Sequence, residues 1–208
     1  APAEHHRIDR ADSDAAGIGA VNTVVFGRRS TGHNTDCWGF AESFRRGLPD
    51  VARRRVLQLG SGGAGAAVSQ ALLQCGVERL DIFDTDLAKA RALAQRLRDL
   101  LGADVQAVDD LTVAERADGL VNTTPVGMLK HPGLPLDAGL IAPAHWVADV
   151  IYFPLETALI QRARSLGCAV LPGGGMAVYQ AVRAFELFCG ITPDAEAMAA
   201  SFAKAVAG

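Results

Sequence analysis

Lysine is scarce in this chain, and other features that would assign a functional class are missing as well. Lysine occurs only at positions 89, 130 and 204. The net charge is −3, so no basic excess exists to neutralise phosphates, and we expect no nucleic-acid partner. No apolar run is long enough to cross a bilayer, and the first ten residues lack the apolar core of a signal peptide. We therefore expect no membrane partner and a cytoplasmic location.

Cysteine and histidine are too few and too scattered to suggest a metal site. The four cysteines show no CxxC spacing and are expected to be small buried hydrophobic residues in a reducing compartment. They are Cys37, Cys75, Cys168 and Cys189. Of the five histidines, His5 and His6 are adjacent near the first residue and the others are isolated. We expect no bound metal.

The chain does contain a regular alternation of short apolar strands and amphipathic helices, beginning near Arg53. The strands are apolar without a polar alternate residue, which is typical of parallel strands covered on both faces. We predict an α/β fold with a Rossmann-type doubly wound parallel sheet over residues 53–184. Residues 185–208 form a further helical segment.

A β-hairpin is predicted before this sheet. The segment GAVNTVVFGRRSTGHNTD is typical of two strands joined by a turn at residues 28–32. A linker helix is expected over residues 37–52, with Asp36 as its N-cap and Pro49 closing its helical part. Asp36 is thus either a capping residue or one half of a catalytic pair.

A glycine-rich loop follows the first strand of the predicted sheet and opens a helix. It matches G-x-G-x-x-G and consists of Gly60, Ser61, Gly62, Gly63, Ala64 and Gly65. In a dinucleotide-binding loop the first glycine allows the tight turn, the second allows close approach of a pyrophosphate, and the third allows helix–strand packing. The alternative interpretation is a glycine-rich turn without a ligand.

The next strand ends in two aspartates, Asp84 and Asp86. An acidic side chain about 20 residues after such a loop accepts hydrogen bonds from the ribose hydroxyls of NAD and repels a 2′-phosphate. Asp86 directly precedes Leu87 and fits the role of a helix cap better, which leaves Asp84 for the ribose. The sequence therefore favours NAD over NADP, the alternative being that Asp84 or Asp86 only caps the following helix.

Four segments in this order resemble shikimate dehydrogenases, and Asp84 is closer to their NAD-dependent quinate/shikimate branch. The segments are GAVNTVV with GHNTDCWGF, LGSGGAG, VNTTPVGM, and the run from DVIYFPLETAL to GGGMAVYQAVRAFELFCG. The resemblance implies hydride transfer between a nicotinamide and a ring hydroxyl of a small-molecule substrate, namely shikimate, 3-dehydroshikimate or quinate. A methylene-tetrahydrofolate dehydrogenase is a less suitable match, because it does not explain GHNTD together with GGGMAVYQA.

The resemblance also assigns roles to particular residues. It implies that Asp36 is catalytic and binds substrate hydroxyls together with Asn22, Tyr152 and Gln180. The residues that it places along the dinucleotide are Thr123, Thr124, Val150, Gly173 and Met176. Four of these residues also have an ordinary explanation when taken alone. Asn22 would be an amide in a hairpin, Tyr152 an aromatic residue at a strand end, Gln180 an exposed helix residue, and Met176 a core methionine.

One departure from the family concerns the general base. In the family a substrate lobe with a carboxylate-binding Ser-x-Ser/Thr and a catalytic Lys precedes the hairpin. None of this chain's lysines lies in a matching context, and His5 or His6 is a weak substitute. The resemblance thus implies that residues 1–36 are a remnant of that lobe and that residues 185–208 return to it.

Two functions follow from these observations. One is an NAD-dependent dehydrogenase whose catalytic Lys is not in this chain, and the other is a non-catalytic NAD-binding module or subunit. Without the first lobe, apolar surface is expected to be exposed and the isolated chain to dimerise or to be poorly soluble.

Overall fold

The computed structural model describes residues 8–207 and contains two separate β-sheets. Nothing structural is therefore said of His5 and His6, which lie outside the described residues. The first sheet has three short strands, β1 (Arg10–Ala11), β2 (Thr23–Val25) and β3 (Thr31–His33), in the order β1-β3-β2. β2 and β3 pair antiparallel, which confirms the hairpin, but Thr31 and Gly32 lie in β3 rather than in the predicted turn. β1 pairs parallel to β3 and was not predicted.

Two helices follow the strands of this small sheet. α1 (Ser13–Ile18) is capped by Asp12 and connects β1 to β2. α2 (Thr35–Gly47) begins directly after β3. A helix is therefore present where one was predicted, but it begins at Thr35 rather than at residue 37, and it ends before Pro49 as expected.

The second sheet has six strands, all parallel, in the order β6-β5-β4-β7-β8-β9. The strands are β4 (Arg55–Leu59), β5 (Arg79–Phe83), β6 (Asp104–Val108), β7 (Gly119–Asn122), β8 (Trp146–Asp149) and β9 (Ala169–Leu171). The order reverses between β4 and β7, as in doubly wound sheets, where ligands bind beyond the carboxyl ends of the strands. The predicted Rossmann-type fold is confirmed.

Helices cover both faces of the six-stranded sheet. The helices after α2 are α3 (Gly63–Gln74), α4 (Leu87–Leu101), α5 (Ala158–Ser165), α6 (Gly174–Cys189) and α7 (Ala195–Ala207). The segment Leu111–Arg116 is a 3₁₀ helix. Val56 and its neighbours pack with α2, α3, α4 and α6, whereas Leu57 on the opposite face packs with α5. The apolar strands are thus buried on both sides, as their composition predicts.

Three of the four cysteines are buried and free, as expected. The prediction is wrong for Cys189, which is exposed because it is the last residue of α6 and lies beyond the helix's buried stretch. Among residues 8–207, no helix is both long and apolar enough to span a membrane.

Candidate active site

A cavity of about 750 Å³ lies at the carboxyl ends of the parallel strands. Most of its lining comes from the glycine loop, the loops that follow β7 and β8, and the first turns of α6. The predicted site residues among the lining are Asp36, Gly62, Gly63, Ala64, Thr123, Thr124, Val150, Tyr152, Met176 and Gln180. Pro125, Met128, Ile151 and Phe153 also line it and were not singled out from the sequence.

The glycine loop divides into glycines that the protein's own packing requires and glycines that border open space. Gly60 has φ +98, and a Cβ on Gly65 would lie 2.5 Å from the carbonyl oxygen of Gly60. A Cβ on Gly62 or Gly63 would meet no atom within 4 Å. The loop therefore leaves room for a ligand at the N-terminus of α3, where free N–H groups and the helix dipole favour an anion.

Asp84 lies beside this loop and outside the cavity lining. Its Oδ2 accepts hydrogen bonds from the backbone nitrogen of Ser61 at 2.8 Å and from Ser61 Oγ at 2.6 Å. Partial burial raises the pKa of Asp84, but the hydrogen bonds from Ser61 and Asp86 outweigh it and hold the pKa below its usual value. Asp86 caps α4 by accepting from the nitrogens of Ala88 and Lys89, as predicted.

Asp36 is not the N-cap of α2, which corrects the prediction. Asn34 is the cap, because its side chain accepts hydrogen bonds from the backbone nitrogens of Asp36 and Cys37. Asp36 is therefore the second helical residue, and its side chain is not required for capping. Burial raises the pKa of Asp36, and a hydrogen bond from Asn22 partly counteracts that effect.

A second, smaller cavity of about 410 Å³ adjoins Asp36 on the hairpin side. Its lining includes Asn22, Thr23, Thr35, Asp36 and Gln180. Asn22 also supports the fold, since its Oδ1 accepts from the nitrogen of Thr35 at 2.9 Å. Asp36 and Gln180 line both cavities and thus mark where the two meet.

Tyr152 and Gly173 contact different parts of the same region. The Tyr152 ring is half exposed and lies edge-on to Phe202 of α7, with the ring centroids 6.4 Å apart. Gly173 does not line the cavity; a Cβ there would lie 2.4 Å from the carbonyl oxygen of Val150. Gly173 therefore permits the close packing of the loop after β8 against the start of α6.

The lysines do not supply a basic group to either cavity. All three lie in the described part of the chain, and none lines either of the two cavities. Lys89 is on α4, with its ammonium 3.6 Å from the carboxylate of Asp86. Within residues 8–207, no cluster of three or more His, Cys, Asp or Glu side chains could hold a metal ion.

A buried polar group under the cavity was missed in the sequence. Asp149 ends β8 and accepts hydrogen bonds from Asn122, from the nitrogen of Ile151 and from Thr157. Burial raises the pKa of Asp149 to about 6, against the effect of those hydrogen bonds. One partner, Asn122, lies 27 positions earlier in the chain, so no local spacing indicates the whole group. Only the Asp at a strand end could have suggested it.

The fold and the loop define the class of this protein: a Rossmann-type fold with an open glycine loop at the switch point of its sheet. A family model described as the shikimate 5'-dehydrogenase C-terminal domain matches residues 173–201. The chain is 48% identical over 201 residues to a quinate/shikimate dehydrogenase (NAD(+)) of Corynebacterium efficiens, covering 94% of this chain and 71% of the relative. It is 52% identical over 202 residues to a shikimate dehydrogenase (NADP(+)) of Streptomyces avermitilis, covering 95% and 69%.

A solved structure of the quinate dehydrogenase from Corynebacterium glutamicum in complex with NAD superimposes with a TM-score of 0.91. It shares 43% sequence identity, and the match covers 95% of this chain and 72% of that chain. The chain belongs to the family of shikimate and quinate/shikimate dehydrogenases, which are oxidoreductases acting on CH–OH groups. The resemblance stated from the sequence is thereby confirmed.

Proposed function

We propose that this chain carries the dinucleotide site and part of the substrate site of an NAD-dependent quinate/shikimate-type dehydrogenase. The observation that carries the proposal is the shared position of Asp36 and Gln180, which line the cavity beside the glycine loop and the cavity beside the hairpin. A substrate hydroxyl held by these two side chains would lie at the junction of the two cavities. The carbon that carries the hydroxyl could there approach a dinucleotide bound in the larger cavity.

The larger cavity suits a dinucleotide. Gly62 and Gly63 border open space at the N-terminus of α3, which fits a pyrophosphate. Ser61 and Asp84 would hold the adenosine ribose, and Thr123, Thr124, Val150 and Met176 would form the walls towards the nicotinamide. When bound, NAD accepts a hydride from a ring carbinol carbon and returns it in the reverse reaction.

The choice of NAD over NADP rests on the charge at the ribose position. The pKa of Asp84 is held below its usual value, so the carboxylate is ionised at neutral pH and would repel a 2′-phosphate. Relatives include both NAD(+)- and NADP(+)-dependent enzymes. Family membership therefore does not decide between NAD and NADP, and the proposed preference rests on Asp84 of this chain.

The smaller cavity would receive the ring hydroxyls. Asn22, Asp36 and Gln180 offer amide and carboxylate groups to hydroxyls there, and Tyr152 offers a phenol at the edge of the larger cavity. Oxidation of the alcohol also requires a base that removes the hydroxyl proton. The Asp36 carboxylate would bind both that base and the substrate hydroxyl. None of this chain's lysines is placed to be the base, because none lines either cavity.

The test compares cofactor binding with turnover for these 208 residues. NADH binding is followed by fluorescence titration, and oxidation of quinate and of shikimate is followed with NAD and with NADP. We expect NADH to bind more tightly than NADPH. Turnover should be roughly 10²–10⁴-fold below that of a relative with the family's Lys at the substrate hydroxyl, because none of this chain's lysines lines either cavity. Failure to bind NADH would refute the proposal. NADH binding with no turnover, even after addition of a small alkylamine as external base, would indicate a non-catalytic NAD-binding module.

We further propose that the isolated chain self-associates. Phe188 and Ile191, at the end of α6 and just beyond it, are 61% and 64% exposed, and large exposed apolar side chains in one region favour association. Sedimentation velocity tests this, and a single monomeric species at micromolar concentration would contradict it.

A further inference from the structure

A buried carboxylate joins two neighbouring loops that both contribute to the lining of the larger cavity. The first loop follows β7 and contributes Thr123, Thr124 and Pro125 to the lining. The second follows β8 and contributes Val150, Ile151, Tyr152 and Phe153. Asp149 lies between their bases and is 2% exposed.

The contacts of Asp149 reach both loops and a helix. Its Oδ1 accepts from Asn122 Nδ2 at 3.1 Å and from the backbone nitrogen of Ile151 at 3.0 Å. Its Oδ2 accepts from Thr157 Oγ1 at 2.7 Å, and Thr157 in turn caps α5 by accepting from the nitrogen of Ile160. All three partners donate in this arrangement, and the carboxylate accepts from each of them.

Asn122 extends this contact into the first loop. Its Oδ1 accepts from the nitrogen of Thr124 at 3.0 Å and from Thr124 Oγ1 at 2.7 Å. Its Nδ2 donates both to Asp149 and to the carbonyl oxygen of Val126 at 3.0 Å. Each polar atom of this side chain is therefore paired, and turning the amide would break several bonds at once.

The two loops also pack directly against each other. Gly127 has φ +117, and a Cβ there would lie 3.0 Å from the Ile151 side chain and 3.4 Å from Thr157. This close packing does not depend on the hydrogen bonds of Asp149, and it holds the same two loops together. A shift of either loop would therefore leave donors unpaired in a buried site, which costs more than the bonds themselves contribute.

We propose that Asp149 is a positioning residue that fixes the spacing between the loops after β7 and β8, and with it the shape of the cavity wall that the two loops form together. Thr157 holds the carboxylate from below, and Asn122 transmits its position to Thr124. The consequence for cofactor binding rests on the proposed function, whereas the coupling of the loops does not.

The first test uses the 208-residue chain without ligand. Hydrogen–deuterium exchange is measured over residues 123–126 and 150–153 in wild type, Thr157→Val, Thr157→Ser and Asp149→Asn. Thr157→Val keeps the shape and removes the hydroxyl, and we expect exchange to accelerate in both loops; Thr157→Ser restores the hydroxyl and the slow exchange. Ala163→Gly is the control, because it weakens the interior of α5 without touching the polar group. Exchange in Thr157→Val that stays at the wild-type rate, or accelerates only in α5, overturns the proposal.

The second test measures the consequence by NADH titration. We expect the dissociation constant for NADH to rise roughly tenfold in Thr157→Val and in Asp149→Asn. This is the effect expected when a hydrogen bond to a charged group is lost or loses its charge. Thr157→Ser and Ala163→Gly should bind as wild type does. If wild type does not bind NADH while the loops respond together, the proposed function fails and the positioning role stands. If wild type binds NADH and neither loops nor affinity change in the variants, the positioning role fails.

Discussion

The hydroxyl of Ser61 donates a 2.6 Å hydrogen bond to Asp84, which links the glycine loop to the end of the neighbouring strand β5. The same carboxylate oxygen accepts from the Ser61 backbone nitrogen, and its other oxygen accepts from the nitrogen of Asp86. Asp84 is thus fixed and charged at the position where the fold would present a ribose.

The first prediction concerns cofactor preference. Asp84→Asn should weaken NADH binding roughly tenfold, since charged hydrogen bonds to the ribose hydroxyls are lost. NADPH binding should not weaken, because the repulsion of its 2′-phosphate is removed. Parallel titrations with NADH and NADPH measure the ratio. Asp86→Asn is the matched control: it removes a neighbouring charge that caps α4 and should leave the ratio unchanged. An unchanged ratio in Asp84→Asn would exclude Asp84 as the selecting group.

The second prediction separates substrate binding from cofactor binding at Asp36. Asp36→Asn should leave NADH affinity unaltered and weaken the binding of quinate or shikimate by at least about tenfold, because a charged acceptor for a ring hydroxyl is lost. Calorimetric titration in the presence of NAD measures this. Glu42→Gln on the same helix is the control, since Glu42 pairs with Arg46 and lines neither cavity. Equal substrate affinity in Asp36→Asn and wild type would remove Asp36 from the substrate site.

The sequence predicted the six-stranded sheet well because its signals are local. An apolar strand followed by a glycine loop and a helix is a pattern of adjacent positions, and Asp86 caps the helix that it directly precedes. The residues of the glycine loop could be identified for the same reason, because the motif is defined by the spacing of neighbouring residues.

Features that depend on distant segments were not predictable in this way. β1 has only two residues and exists because it pairs with β3, 21 positions further along the chain. Asn34, Thr35 and Asp36 all carry side chains able to accept a capping hydrogen bond, and only the backbone angles select Asn34. Asn122 lies 27 positions before Asp149, so no local spacing predicts the hydrogen bond between them.

A third prediction distinguishes the glycines of the loop. Gly62→Ala adds a methyl group that meets nothing within 4 Å, so thermal stability should be unchanged while NADH binding weakens, because the methyl group enters space reserved for the ligand. Gly65→Ala places its methyl group 2.5 Å from a backbone oxygen, and the melting temperature should fall with a cost of about 1–3 kcal/mol. Calorimetry and NADH titration of both variants provide the comparison. Stable, tight-binding Gly62→Ala would contradict the assignment of this space to a pyrophosphate.

The last prediction concerns the pH dependence of stability from Asp149. Its pKa is about 6 in the folded protein and 3.8 for an ordinary Asp, because burial disfavours the charged form. Between these values the folded state binds more protons than the unfolded state, so the free energy of unfolding should fall as pH rises from about 4 to about 6, by up to about 3 kcal/mol. Above that range the contribution of this group is constant.

Asp149→Asn cannot titrate and should lack this part of the slope. The measurement is urea unfolding by circular dichroism for both proteins between about pH 4 and about pH 7. Subtracting the two curves removes other carboxyl groups such as Asp118, whose lowered pKa acts in the opposite sense. The difference between wild type and variant should change steadily between about pH 4 and about pH 6 and be flat above it. A difference that is constant across the range would mean that Asp149 has the same pKa in the folded and unfolded states. Burial would then not disfavour its charged form.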